Sequence, residues 1–243
     1  QRYLTLEKRL SVPLWTKLAV PLASIVAGFL FSAIFLLISG ESSIEVYSVM
    51  FEGAFGSAYG LSETVVKMIP LMIISVGVAF AFKMQIWNAG GEGQLHIGAA
   101  AATYVVLHLN GCSRFVTVLL AFLAAFICAG IYGLIPAILK VKWKVNELIT
   151  CLMLNYVATF FVSWLIQGPW KDPTGFAFPR TRKIPSAGEL TTFFGTRIHT
   201  GLIIGLVIAL ALWFVIYKTR WGFEIKLIGA KEKETQDAAV EFV

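Results

Sequence analysis

Charged residues are scarce in this chain, at 14% of 243 positions, where an ordinary soluble domain carries about 25%. Apolar residues make up 58%, and the mean hydropathy is +0.78. A water-soluble fold of this composition would expose apolar patches large enough to aggregate, so one buried core surrounded by water is excluded. Cysteine and histidine are scarcer still, with three of each. Cys112, Cys128 and Cys151 are odd in number and show no CxxC spacing, which argues against a disulfide frame or a zinc site. His96, His108 and His199 do not pair with cysteines or carboxylates at ligand spacing, so no metal is expected. There is no GxxxxGK[ST] phosphate loop, GxSxG elbow or HExxH pair. The chain therefore has no means of hydrolysing ATP by that route, no enzyme activity is expected, and no cofactor is implied.

What the chain does have is long apolar runs. A helix needs roughly 20 apolar residues to cross a hydrocarbon layer about 30 Å thick. Ala19–Ile38, Phe115–Leu139 and Leu148–Gln167 meet that length, and Gly201–Tyr217 comes close before Lys218 and Arg220. Two shorter runs, Met68–Phe82 and Leu95–Leu109, flank the polar, glycine-rich stretch Asn88–Gln94. The expectation is an all-α polytopic transmembrane bundle with about six membrane segments. The first run is too long for a signal-peptide core and reads as a retained anchor.

The net charge of +6 arises from short basic clusters between apolar runs. Such clusters suit topology signals beside anionic lipid rather than a groove for nucleic acid. With a cytoplasmic N-terminus, thirteen Lys and Arg fall inside and seven outside. The exception is the outward loop 168–200, which holds Lys171, Arg180, Arg182, Lys183 and Arg197. Its four prolines (Pro169, Pro173, Pro179 and Pro185) predict an irregular but packed segment. The loop 40–70 places Glu41, Glu45, Glu52 and Glu63 around Ile44, Val46, Tyr47, Val49, Met50 and Phe51, a pattern expected of a surface-lying amphipathic helix. Gly201, Gly205 and Ala209, like Gly98 and Ala102, lie four apart, and small residues at this spacing let helices approach closely in lipid.

Three stretches are candidates for function. In Asn88-Ala-Gly-Gly-Glu-Gly-Gln94, three glycines and Glu92 separate two short apolar segments. That fits either a helix broken at membrane depth, as in transporters, or a plain cytoplasmic turn with Glu92 in water. In the second stretch, Asn146 and Glu147 suit a helix start, where an amide cap and an early carboxylate satisfy free N–H groups. Asn155 lies inside the apolar run that follows, and a buried amide there must face neighbouring helices or a solute path. The third stretch, 219–239, alternates charged and apolar residues and reads as a docking helix or a solvated tail.

At these places the sequence resembles permease subunits of ABC importers, in the group that includes simple-sugar, branched-chain amino acid and nucleoside transporters. It is most like the nucleoside (basic membrane protein-associated) branch. The resemblance is carried by 88–98, by 146–156, by Gly168-Pro-Trp-Lys-Asp-Pro173 and by Trp221-Gly-Phe-Glu-Ile-Lys-Leu-Ile-Gly-Ala230, in the family's order. It implies import of a nucleoside-like or simple-sugar solute across the plasma membrane. The implied partners are cytoplasmic ABC ATPase subunits, a second permease subunit, an extracytoplasmic solute-binding protein and the lipid bilayer. It makes Asn88, Glu92, Gln94, Asn146 and Asn155 candidates for the pathway. Gly229, Ala230, Glu232, Ala238 and Ala239 become candidates for ATPase coupling. The family has Asn two residues after the glycine matched by Gly229 and Tyr-Ala-Gly later, where this chain has Lys231 and Asp237-Ala-Ala239. Members also continue past the segments present here, so 1–243 is expected to be a single, incomplete permease domain. The alternative is a channel or structural membrane subunit without ATP coupling.

Overall fold

The computed structural model describes residues 13–109, 111–175, 178–193 and 195–241, with no side-chain detail for 14, 17 and 231–241. Among them are eight helices: α1 (Leu14–Ile38), α2 (Ser43–Phe55), α3 (Ala58–Lys83), α4 (Gly91–His108), α5 (Arg114–Trp143), α6 (Glu147–Gln167), α7 (Gly201–Lys218) and α8 (Arg220–Glu241). A single 3₁₀ turn, Ser186–Gly188, interrupts the segment between α6 and α7. The fold is all-α, as the apolar runs imply. Five helices are long and apolar enough to cross a membrane: Leu18–Ile38, Ala58–Lys83, Arg114–Trp143, Glu147–Gln167 and Gly201–Lys218. The remaining expected segment, Leu95–Leu109, is α4, whose first turns carry Glu92, Gln94 and His96 and lower its apolarity.

The chain divides into two units, Gln1–Leu61 and Ser62–Val243. In the first, α2 turns back on α1. Tyr47 Oη donates to the Phe29 carbonyl at 2.6 Å, Ser43 Oγ donates to the Ala33 carbonyl at 2.9 Å, and the Phe29 and Tyr47 rings meet edge to face. Ser42 caps α2 by accepting from the Glu45 N–H at 3.4 Å. The amphipathic helix expected in this region is α2, but the connection is shorter than expected. Helix α3 starts at Ala58 and contains Pro70, so Glu63 and Lys67 stand on a helix rather than in a loop. The uncharged run in the sequence stops at Lys67, but a charged residue near a helix end does not interrupt backbone hydrogen bonding.

In the second unit, α4 packs against both α5 and α6. Small residues make this possible. A Cβ on Gly98 would reach ordinary contact, 3.5 Å, with the Ala125 carbonyl and Ala129 Cβ, so the backbones lie close. Tyr132 Oη on α5 donates to the Leu154 carbonyl of α6 at 2.6 Å. Thr117, Ala121, Cys151 and Ala158 are buried. On α7, Gly201 and Gly205 are buried under side chains of α3 rather than against its backbone: a Cβ on Gly205 would lie 2.5 Å from Met72 Cε. Outward-facing apolar side chains stay uncovered, including Phe115, Phe126 and Phe160, each at least 70% exposed. Water does not tolerate such a surface on a solitary chain, whereas lipid does.

The 168–200 segment is irregular but ordered, as its prolines suggest. Antiparallel bridges join Lys171 to Thr181 and Thr192 to His199. Arg180 pairs with Asp172 at 3.4 Å, Arg197 with Glu63 at 3.2 Å, and the Arg114 guanidinium donates to the Glu189 carbonyl. The hydroxyl and N–H of Thr174, and then Arg180, hold the Asp172 carboxyl below its ordinary range.

Gly229 on α8 marks the tightest approach to the end of α3, because a Cβ there would run into the Lys83 carbonyl oxygen. Backbone cannot move aside as a flexible side-chain tip can. Gly229→Ala is therefore expected to cost about 1–3 kcal/mol and lower the melting temperature in detergent. Gly28→Ala, where nothing lies within 4 Å of the added methyl, should leave it unchanged or slightly raised.

Candidate solute pathway

Helix α3 ends at Lys83, and the seven residues Met84–Gly90 run without helix before α4 starts. The turn wraps the end of α3: the N–H groups of Met84 and Ile86 both bond the Ala81 carbonyl, at 3.0 and 3.2 Å. Gln85 adopts φ +58°, a left-handed conformation that reverses the chain at this point. Asn88 then folds on itself, its Oδ1 accepting from the Gly90 N–H at 3.0 Å, the Asx-type turn for which this residue is suited.

Asn155 of α6 ties this interruption to the bundle. It is 9% exposed, its Oδ1 accepts from the Gly93 N–H at 2.9 Å, and its Nδ2 donates to the Ala89 carbonyl at 2.9 Å. One amide thus satisfies two backbone groups that the end of a helix leaves free. Gly93 is required here, since a Cβ would sit 2.8 Å from Asn155 Oδ1. Below it, Asn146 caps α6 by accepting from the N–H groups of Leu148 and Ile149, as its place at a helix start suggests. Glu147 pairs with Lys140 of α5 at 2.7 Å and faces the Trp87 N–H.

Two cavities flank the break. One, of 730 Å³, is lined by Trp87, Asn88, Gly133, Lys140, Asn146 and Glu147 among others. The other, of 640 Å³, is lined by Asn88, Gln94, Gly98, Phe122, Phe126 and Gly133 among others. Asn88 and Gly133 border both.

The residues singled out in the sequence divide accordingly. Asn88, Gln94 and Asn146 line cavities. Asn155 lines neither and instead holds the loop. Glu92 also lines neither; its side chain is 68% exposed, with His96 Nε2 4.0 Å away. Gly229 lies beside the last residue of α3, and Ala230 is exposed. Glu232, Ala238 and Ala239 lie on α8, where side chains fall outside the described part. This region is one continuous helix rather than a loop followed by a helix. Sequence reasoning missed Gly133 and the Lys140–Glu147 pair. Both depend on α5 crossing the break, and no local pattern encodes that crossing.

Comparison with known proteins places these observations in a family context. Residues 60–240 match the family described as branched-chain amino acid transport system / permease component. The chain is 31% identical to a glucose ABC transporter permease protein of Haloferax volcanii, over 98% of this chain and 65% of that protein. It is 34% identical to a guanosine ABC transporter permease protein of Bacillus subtilis, over 92% and 64%. A nucleoside ABC transporter permease protein of Lactococcus lactis subsp. cremoris is 29% identical, over 92% and 64%. The chain thus spans just under two thirds of the length of these relatives. No solved structure matches it.

Replacing Asn155 with leucine keeps the branched shape but leaves the Gly93 N–H and the Ala89 carbonyl unpaired, at about 1–3 kcal/mol for each. Asn155→Leu is expected to speed amide hydrogen exchange across Met84–Gly93 while α7 exchanges as before. Unchanged exchange in the break would show that Asn155 does not hold it.

Proposed function

Because the chain belongs to the branched-chain amino acid transport system / permease family, we propose that it serves as the transmembrane permease subunit of an ABC importer. It is a multi-pass membrane protein of that family, with five helices suited to crossing a bilayer. The solute is a nucleoside or a simple sugar, carried into the cell across the plasma membrane. A partner ATPase drives the transport, and the N-terminus faces the cytoplasm. The partners are cytoplasmic ABC ATPase subunits, a second permease subunit and an extracytoplasmic solute-binding protein.

The observation that supports this most directly is the pair of cavities that share Asn88 and Gly133 in their walls, beside a helix break whose backbone is satisfied by Asn155. Non-helical backbone at membrane depth is tolerated where protein buries it or a wet cavity borders it. The family resemblance supports the rest of the reading, including roles for Glu92 in the pathway and for Gly229, Ala230, Glu232, Ala238 and Ala239 at the ATPase. In this reading, ATP-loaded ATPases favour one arrangement of the permease and solute-loaded binding protein favours another, so transport follows a shift between populations.

Co-expression of the chain with the ABC ATPase and solute-binding protein of its own source is expected to yield a complex in which solute-loaded binding protein stimulates ATP hydrolysis. A channel without coupling would bring down no ATPase. Orientation is tested by Cys112, an exposed residue between α4 and α5. A membrane-impermeant maleimide is expected to label it from outside intact cells, and labelling only after permeabilisation would invert the topology.

A further inference from the structure

The wall that the two cavities share has an unusual chemical make-up. Gly133 of α5 leaves room for the Gln94 side chain: a Cβ there would lie 2.8 Å from Gln94 Nε2 and 3.2 Å from its Cδ. Among the described residues the Gln94 amide makes no hydrogen bond, yet it is not sealed off, since no fully buried side-chain nitrogen or oxygen lacks a partner there. Asn88 uses its Oδ1 on the Gly90 N–H and leaves Nδ2 free. Among the described residues, two amides with open hydrogen-bonding capacity therefore border the 640 Å³ cavity, whose other walls are chiefly apolar, with the Phe122 ring among them.

Such a wall sorts neutral solutes by where they carry their polar groups. A hexose has hydroxyls all around its ring, and each one that enters without a partner gives up hydrogen bonds to water. Two amides cannot replace them all. A nucleoside has ribose hydroxyls as well, but its nucleobase concentrates donors and acceptors on one planar edge, which a carboxamide can pair with through two bonds, as it does with adenine in DNA, while the ribose stays toward water. Its flat faces suit aromatic and aliphatic walls.

Resting on the importer reading, we infer that Gln94 and Asn88, with Gly133 as the positioning residue that admits the Gln94 amide, form a selectivity neck. This neck passes solutes with a planar amide-like edge, the purine and pyrimidine nucleosides, and disfavours hexoses.

The test uses the complete permease complex with its ATPase and binding protein in lipid nanodiscs, photolabelled with 8-azidoguanosine. Label is counted on the permease polypeptide alone. Unlabelled guanosine is expected to protect, and glucose at the same concentration is not. Gln94→Met, close in volume, should lower labelling about tenfold, the scale of one lost good hydrogen bond. Gly133→Ala, which displaces the Gln94 tip without touching backbone, should lower it several-fold, and Gly28→Ala should leave it unchanged. Equal protection by glucose, or full labelling of both Gln94→Met and Gly133→Ala, overturns the neck. Stimulated ATP hydrolysis is measured on the same preparation. Hydrolysis without selective labelling rejects the neck alone, whereas failure to associate with an ATPase rejects the importer reading and the neck with it.

Discussion

A chain that interrupts its helices inside an apolar environment must find partners for the backbone groups it releases. In this protein that requirement falls largely on a single carboxamide. Asn155 receives the Gly93 N–H and gives its own N–H to the Ala89 carbonyl, pinning the end of the Met84–Gly90 interruption and the first turn of α4 to α6. Much of the second unit is arranged so that these bonds form. Glycine at 93 lets the two helices come within reach of the amide, and glycine at 98 lets α4 settle against α5. The Tyr132 hydroxyl joins α5 to α6 one residue before Asn155, at the Leu154 carbonyl. The conformation of the break is thereby set by α6 as much as by its own residues.

The same packing creates the space around the break. With glycines at 91, 93, 98 and 133, helices α4 and α5 lie close in some places and leave volume in others. Polar groups are few there and unevenly placed. Lys140 and Glu147 neutralise each other beside the larger cavity, while Asn88 and Gln94 keep uncharged hydrogen-bonding capacity at the boundary between the two. In the proposed reading, a pathway of this composition suits a neutral solute, in keeping with the glucose, guanosine and nucleoside permeases that the chain resembles.

Under the proposed importer reading, α8 is the element that would meet the partner ATPase. The long helix α8 follows directly on α7, and its Gly229 abuts the carbonyl of Lys83, the last residue before the break. A displacement of α8 would therefore press on the segment that leads into the cavities. The Lys226 ammonium lies over the Tyr217 ring at 4.4 Å, with Lys83 on the same ring at 5.8 Å, so the three elements also share a polar contact.

Much of this was legible from residues alone. Long uncharged runs determine an all-α membrane fold, because hydrocarbon thickness and helix rise leave few other solutions. Asn146 announces the start of α6, and the spacing of Gly98 and Ala102 announces a close helix contact, since caps and small-residue seams are local patterns. The start of α3 at Ala58 was hidden by Glu63 and Lys67, which interrupt an apolar run without interrupting a helix. What Asn155 does, whether Gln94 meets Gly133, and whether Lys140 finds Glu147 were decided only by tertiary structure. Each of these joins residues on different helices, and their meeting depends on how α4, α5 and α6 cross, a geometry that no stretch of sequence contains.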